Sequence, residues 1–132
     1  MKCLRIYADP DGESHFADLE IPLSTVEFFP GVPLRVSARY KASSVQFLTV
    51  PAELRDAGWH NPPQPYLVIW LTGQTEFEAS DGEIRHIGPG SAVLAEDTWG
   101  KGHVSRHPQE AQQVIVVALT DSLSAEPAPN AA

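Results

Sequence analysis

Cysteine and methionine occur once each in this 132-residue chain, as Cys3 and Met1. A single cysteine can form no internal disulfide and no cysteine-based zinc site, and it suits a reducing compartment, so the expected location is the cytoplasm. Lys and Arg are scarce, nine against seventeen Asp and Glu for a net charge of −8, and they are scattered rather than gathered into a stripe. Such a surface repels phosphate backbones and anionic lipid, which makes neither nucleic acid nor a membrane an expected partner. The opening residues carry Lys2, Arg5 and Asp9 with no long apolar run, so no secretory signal or spanning helix is expected there. Sustained 3.6-residue periodicity is missing as well. Only Pro51 to Gly58, with a first-turn proline and a glycine stop, reads as a helical turn. The glycine loops that cradle phosphate, the Gly-x-Ser-x-Gly elbow and the His-Glu-x-x-His helix are all lacking.

What the chain has is alternation. Leu34, Val36, Ala38 and Tyr40 interleave with Arg35, Ser37, Arg39 and Lys41, and Thr75, Phe77 and Ala79 with Glu76, Glu78 and Ser80, the period of half-buried strands. Tyr66 to Leu71 and Val114 to Leu119 are apolar on both faces and read as central strands. Turn chemistry separates these runs at Asp9-Pro10-Asp11-Gly12, Pro30-Gly31, Asp81-Gly82 and Gly88-Pro89-Gly90. With 42% apolar and 20% charged residues the chain can bury a core. The expectation is one all-β domain, a sandwich or barrel, over residues 1–121, followed by a flexible Ala-, Pro- and Ser-rich tail over 122–132.

Two stretches carry a family resemblance. The first runs Trp59-His60-Asn61-Pro62-Pro63 into Tyr66-Leu67-Val68-Ile69-Trp70-Leu71-Thr72-Gly73, then Glu76-Phe77-Glu78 and Asp81-Gly82. The second runs from Gly88-Pro89-Gly90 to Leu94-Ala95-Glu96-Asp97-Thr98-Trp99-Gly100-Lys101-Gly102-His103. From Trp59 to Arg106 the chain resembles the cupin superfamily, and within it small bacterial single-domain cupins of unassigned function. The resemblance implies a cupin-type double-stranded β-helix, a jelly-roll barrel around one small-molecule pocket. By the same analogy it implies a homodimer paired through barrel-edge strands such as Leu4 to Tyr7 and Ala17 to Ile21. Metal-binding cupins present two His and a Glu from the first motif and a His from the second. Here His60 and His103 repeat ligands, while Pro62 and Tyr66 stand in the places of a His and the Glu. No cofactor is therefore expected, and a divalent metal (iron, manganese, zinc or nickel), if bound, would rest on His60 and His103 with Glu96, Asp97 or His86 completing its shell.

The chemistry-bearing candidates follow from these positions. His103 shares a face with Ser105 and His107, and a ring pointing inward serves either as a core histidine bonded to backbone or as an acid–base group. His60 sits in a proline-rich extended arm able to cross the barrel mouth. Tyr66, Val68 and Trp70 share one strand face, with the Tyr66 hydroxyl as a donor. Trp99, Lys101, Trp70, Gln46 and Phe77 are the expected ligand-binding side chains: Trp99 as a stacking wall, Lys101 as a cation and Gln46 as a polar group inside the barrel. Glu96 and Asp97 could orient His103 or simply form a solvated loop. His15, His86, His107 and Cys3 lack a partner pattern. Three functions fit: metal-independent acid–base chemistry by His103 with His60 and Tyr66 (isomerisation, dehydration, lyase or cyclisation chemistry), a metal-dependent oxygenase, and a non-catalytic small-ligand binder.

Overall fold

Turn chemistry sets the strand borders. In the first hairpin Asp9 caps its own turn, its Oδ1 accepting from the backbone N–H of Asp11 at 2.9 Å and of Glu13 at 3.1 Å. This reversal joins β1 (Lys2–Ala8) to β2 (Ser14–Glu20). The computed structural model describes residues 1–107, 110–121 and 123. Further along come β3 (Ser24–Phe29), β4 (Val32–Val36), β5 (Ala42–Val50), β6 (Tyr66–Thr72) and β7 (Thr75–Ala79). The chain closes with β8 (Ile84–Ile87), β9 (Ala92–Ala95), β10 (His103–Arg106) and β11 (Gln112–Leu119). No helix occurs among the described residues, so the all-β expectation holds.

Six strands form one sheet in the order β2-β1-β9-β6-β11-β5, and a smaller sheet runs β10-β7-β8. All pairings are antiparallel except β1 with β9, where Leu4 lies opposite Val93. Ile6, Phe16, Trp70, Phe77, Ala79, Ile87, Val93 and Val114 pack as the core on one side of the large sheet. The opposite parity builds a second cluster of Cys3, Leu94, Leu119 and Leu123, backed by Leu19, Ile21, Tyr40, Leu67 and Val117. Apolar residues on both faces of β6 and β11 are thus used twice over, which is why these strands lack alternation and lie inside the sheet.

Three expectations change. Residues 51–58 make only a turn, closed by Leu54 N–H to Pro51 O at 3.1 Å, because eight residues with no packed apolar stripe cannot offset the cost of a helical nucleus. The Leu34–Tyr40 alternation does not make a half-buried strand: β4 stops at Val36 and pairs only with β3, and Leu34 is exposed. Of the N-terminal strands proposed as a pairing edge, β1 is flanked on both sides by β2 and β9, leaving only β2 free. Most of the expected tail, 122 and 124–132, lies outside the described residues, but Leu123 is buried and its carbonyl accepts the Tyr40 hydroxyl at 2.7 Å.

Candidate functional site

Between the two sheets lies a cavity of about 270 Å³, walled chiefly by Leu48, Val50, Val68, Val93, Val114 and Val116 with the rings of Trp70 and Phe77. Its polar groups converge from the arm before β6 and from one face of β10: His60, Asn61 and Tyr66 on one side, His103, Ser105 and His107 on the other.

His103 opens β10 directly after Gly102. That glycine has φ +74°, and a Cβ placed on it would run into the backbone carbonyl of His60. The missing side chain lets the arm lie against β10, where His60 and His103 exchange two backbone hydrogen bonds of 3.0 Å each. Their rings consequently stand 4.7 Å apart, centroid to centroid.

The His103 ring is buried, with Nδ1 2.7 Å from Oδ2 of Asp97, itself fully buried. A carboxylate accepts, so Nδ1 carries the hydrogen, and Nε2 has no hydrogen-bond partner among the described residues while the ring lines the cavity. Asp97 Oδ1 is buried without a hydrogen bond among the described residues. Asn61 positions the loop that carries Asp97, its Nδ2 donating to the carbonyls of Asp97 at 2.9 Å and Gly100 at 3.3 Å. Phe77 meets the His103 ring edge to face at 5.5 Å and Trp70 at 5.7 Å, which fixes the imidazole plane from behind. His60, more exposed at the rim, donates Nδ1–H to Gly58 O at 2.8 Å and so also keeps Nε2 as its free nitrogen.

A buried polar chain forms the far end of the cavity. Trp70 Nε1 lies 3.1 Å from Thr75 Oγ1, which lies 2.6 Å from Gln112 Oε1; Gln112 Nε2 lies 3.0 Å from His107 Nδ1, and His107 Nε2 lies 3.2 Å from Ser105 Oγ. Burial holds the His107 imidazole below the usual histidine range, favouring the neutral ring. Outside this wall, a cleft of about 290 Å³ holds Arg106, whose charge is already met by Glu76 at 3.2 Å and Glu78 at 2.8 Å.

Of the residues expected from sequence, His103, His60, Tyr66, Trp70 and Phe77 line the cavity. Three do not. Lys101 points away and pairs with Glu13, and Trp99 is exposed beside the Gly12 turn, because the loop after β9 folds outward onto the first hairpin. Gln46 shares the inward parity of Leu48 and Val50, yet on the edge strand it is exposed and does not line the cavity. Glu96 and Asp97 separate: Glu96 binds Arg5 at 2.7 Å, while Asp97 turns in beneath His103. His86 faces outward toward Glu76 at 3.8 Å. The sequence reading passed over Gln112 and Asn61 and set aside His107. Period two counted from His103 pointed to 105 and 107; nothing local pointed to Gln112, 38 residues from Gln74, whose carbonyl it binds.

The donor set does not fit a resident metal. Among the described residues no three His, Cys, Asp or Glu side chains converge, and the one carboxylate near His103 is spent on its Nδ1.

No family model and no curated protein matches the chain. Solved structures with a similar strand arrangement include a protein from Neisseria meningitidis, 13% identical, TM-score 0.46, covering 62% of this chain and 84% of its own. A conserved Streptococcus pyogenes protein of unknown function is 17% identical at TM-score 0.46, covering 67% and 73%. A cupin domain is among them. It comes from Bordetella pertussis and is 15% identical at TM-score 0.45, covering 78% of this chain and 99% of that one. These values carry nothing about ligand or reaction, and the all-β assignment rests on the strands themselves.

Proposed function

We propose that this chain is a cupin-type enzyme that moves a proton on a small, uncharged metabolite, with His103 as the proton carrier and no metal in the step. One observation carries the reading: the cavity wall contains an imidazole whose Nδ1–H is held by a buried carboxylate and whose Nε2 has no hydrogen-bond partner among the described residues. An aspartate in this position orients the ring and stabilises the imidazolium formed when Nε2 takes up a proton. In this reading His60, whose ring lies beside that of His103, and Tyr66 on the cavity wall hand on or return that proton. Isomerisation, dehydration, elimination and cyclisation share this requirement. A non-catalytic binder would need the cavity but not the Asp97 support.

The test is a thermal-shift screen of small carbonyl, enol and hydroxyl metabolites, followed by proton NMR of each hit in deuterated buffer. Wild-type protein should exchange one C–H for deuterium, and His103→Gln should slow that exchange by roughly 10²–10⁴-fold. Stabilising ligands that never exchange, or exchange untouched by His103→Gln, would overturn the proposal.

A further inference from the structure

The polar chain at the far end of the cavity has a direction that can be read bond by bond. The Trp70 indole N–H can only donate, so Thr75 Oγ1 accepts from it and passes its own hydrogen to Gln112 Oε1. At the other end of the same amide, Nε2 faces the backbone carbonyl of Gln74, which can only accept. Both ends therefore give the amide one orientation, with its NH₂ toward His107. Nδ1 of His107 must then accept, which leaves its hydrogen on Nε2, pointing at Ser105 Oγ. Gly73 holds this arrangement in place, since a Cβ there would strike Gln112.

The consequence falls on Ser105. A serine beside a histidine suggests a nucleophile and its base, but a base must accept the hydroxyl proton, and His107 Nε2 is already a donor. Ser105 Oγ accepts from His107, and its own hydrogen has no acceptor among the described residues while the side chain lines the cavity. The neutral His107 favoured by burial is the form this chain requires.

We propose that the Ser105 hydroxyl is a ligand-binding donor, and that the site takes an uncharged molecule whose carbonyl oxygen docks on Ser105 while an adjacent acidic C–H meets His103. His103 and Ser105 share one face of β10 two residues apart, a separation of roughly 7 Å along the strand. No Lys or Arg lines the cavity to hold a carboxylate or phosphate. This inference rests on His103 as the proton carrier and adds the group that polarises the carbonyl.

The probes are acetophenone and ethylbenzene, matched in shape and differing by the carbonyl oxygen. Binding to wild type, Ser105→Ala, Ser105→Thr and His103→Gln is measured by ligand-observed NMR, with the infrared carbonyl band of the bound ketone as a second readout. The ketone-to-hydrocarbon affinity ratio should fall roughly three- to tenfold in Ser105→Ala, the size expected for one lost hydrogen bond. The carbonyl band should move to higher frequency in the same variant, with Ser105→Thr restoring both. An unchanged ratio and band in Ser105→Ala, or no binding of either probe to wild type, would overturn the inference. A ratio that collapses only in His103→Gln would sink the Ser105 role and leave the His103 reading standing. Loss of the ratio in Ser105→Ala with deuterium exchange intact in His103→Gln would do the reverse.

Discussion

At the residue scale the question is what a buried Asp97 contributes. Its Oδ2 accepts the His103 Nδ1–H, whereas its Oδ1 is buried with no partner among the described residues, so the carboxylate carries a desolvation cost that a purely structural side chain would not need. Asp97→Ala should strand the Nδ1–H in an apolar site and destabilise the fold by about 1–3 kcal/mol in urea titration. The ¹⁵N shifts of the His103 ring should then lose the single Nδ1–H tautomer. Asp97→Asn retains an oxygen able to accept, so its stability loss should be the smaller of the two. His103 was legible in the sequence because it ends a glycine-spaced loop at a strand entrance. Lys101 and Trp99, in the same loop, were misplaced because the contact that draws them outward is with residues 12 and 13, some ninety positions earlier.

At the scale of elements, the arm of residues 59–65 matters most. Three prolines keep it extended, but only its backbone exchange with His103 brings the His60 ring to the cavity. Gly102→Ala should break that exchange twice over, by φ strain and by collision with the His60 carbonyl, at a cost above about 1 kcal/mol. Hydrogen exchange at the His60 amide should quicken in the variant, while amides in the β6 and β11 ladder keep their protection. A variant whose His60 amide stays as protected as in wild type would show that the arm is held by something else.

At the scale of the whole molecule, His15 ties the two sheets together. Its Nε2 meets Asp9 in the β1–β2 turn at 2.7 Å and its Nδ1 meets Asp81 in the β7–β8 turn at 2.8 Å. Hydrogen bonds to Asp9 and Asp81 raise the His15 imidazole above the ordinary 6.5, and His15 in turn lowers Asp9. A raised histidine stabilises fully below its unfolded value and loses that contribution as pH rises through the folded value. The stability difference between wild type and His15→Gln should therefore be widest just below pH 6.5 and shrink as pH rises. It should also shrink at acid pH, where Asp9 becomes protonated. Urea midpoints from pH 4 to 9 measure this, and a pH-independent difference would count against the clamp. His107 works in the opposite sense: lowered by burial, it contributes above about 6.5 and weakens the fold as pH falls. The edge of the large sheet opposite β2, β5, spans Ala42–Val50 without a single charge and exposes Val45 and Phe47. Phe47→Lys should leave stability within about 0.5 kcal/mol in urea titration.

Sequence alone determined what depends on neighbours along the chain. Periodicity marked β7, doubled apolar runs marked β6 and β11 as interior strands, and turn residues marked the Asp9–Gly12 and Asp81–Gly82 reversals, because side-chain direction and turn conformation are local properties. Inward parity likewise placed Tyr66, Trp70, Phe77 and His103 together on the cavity wall. Tertiary structure alone decided that Asp97, and not Glu96, turns beneath His103, that Gln112 orients His107, and that Gln46 is exposed rather than on the cavity wall. Those outcomes rest on contacts between distant strands and loops, whose register and bending are set by packing across the sheets rather than by the residues on either side.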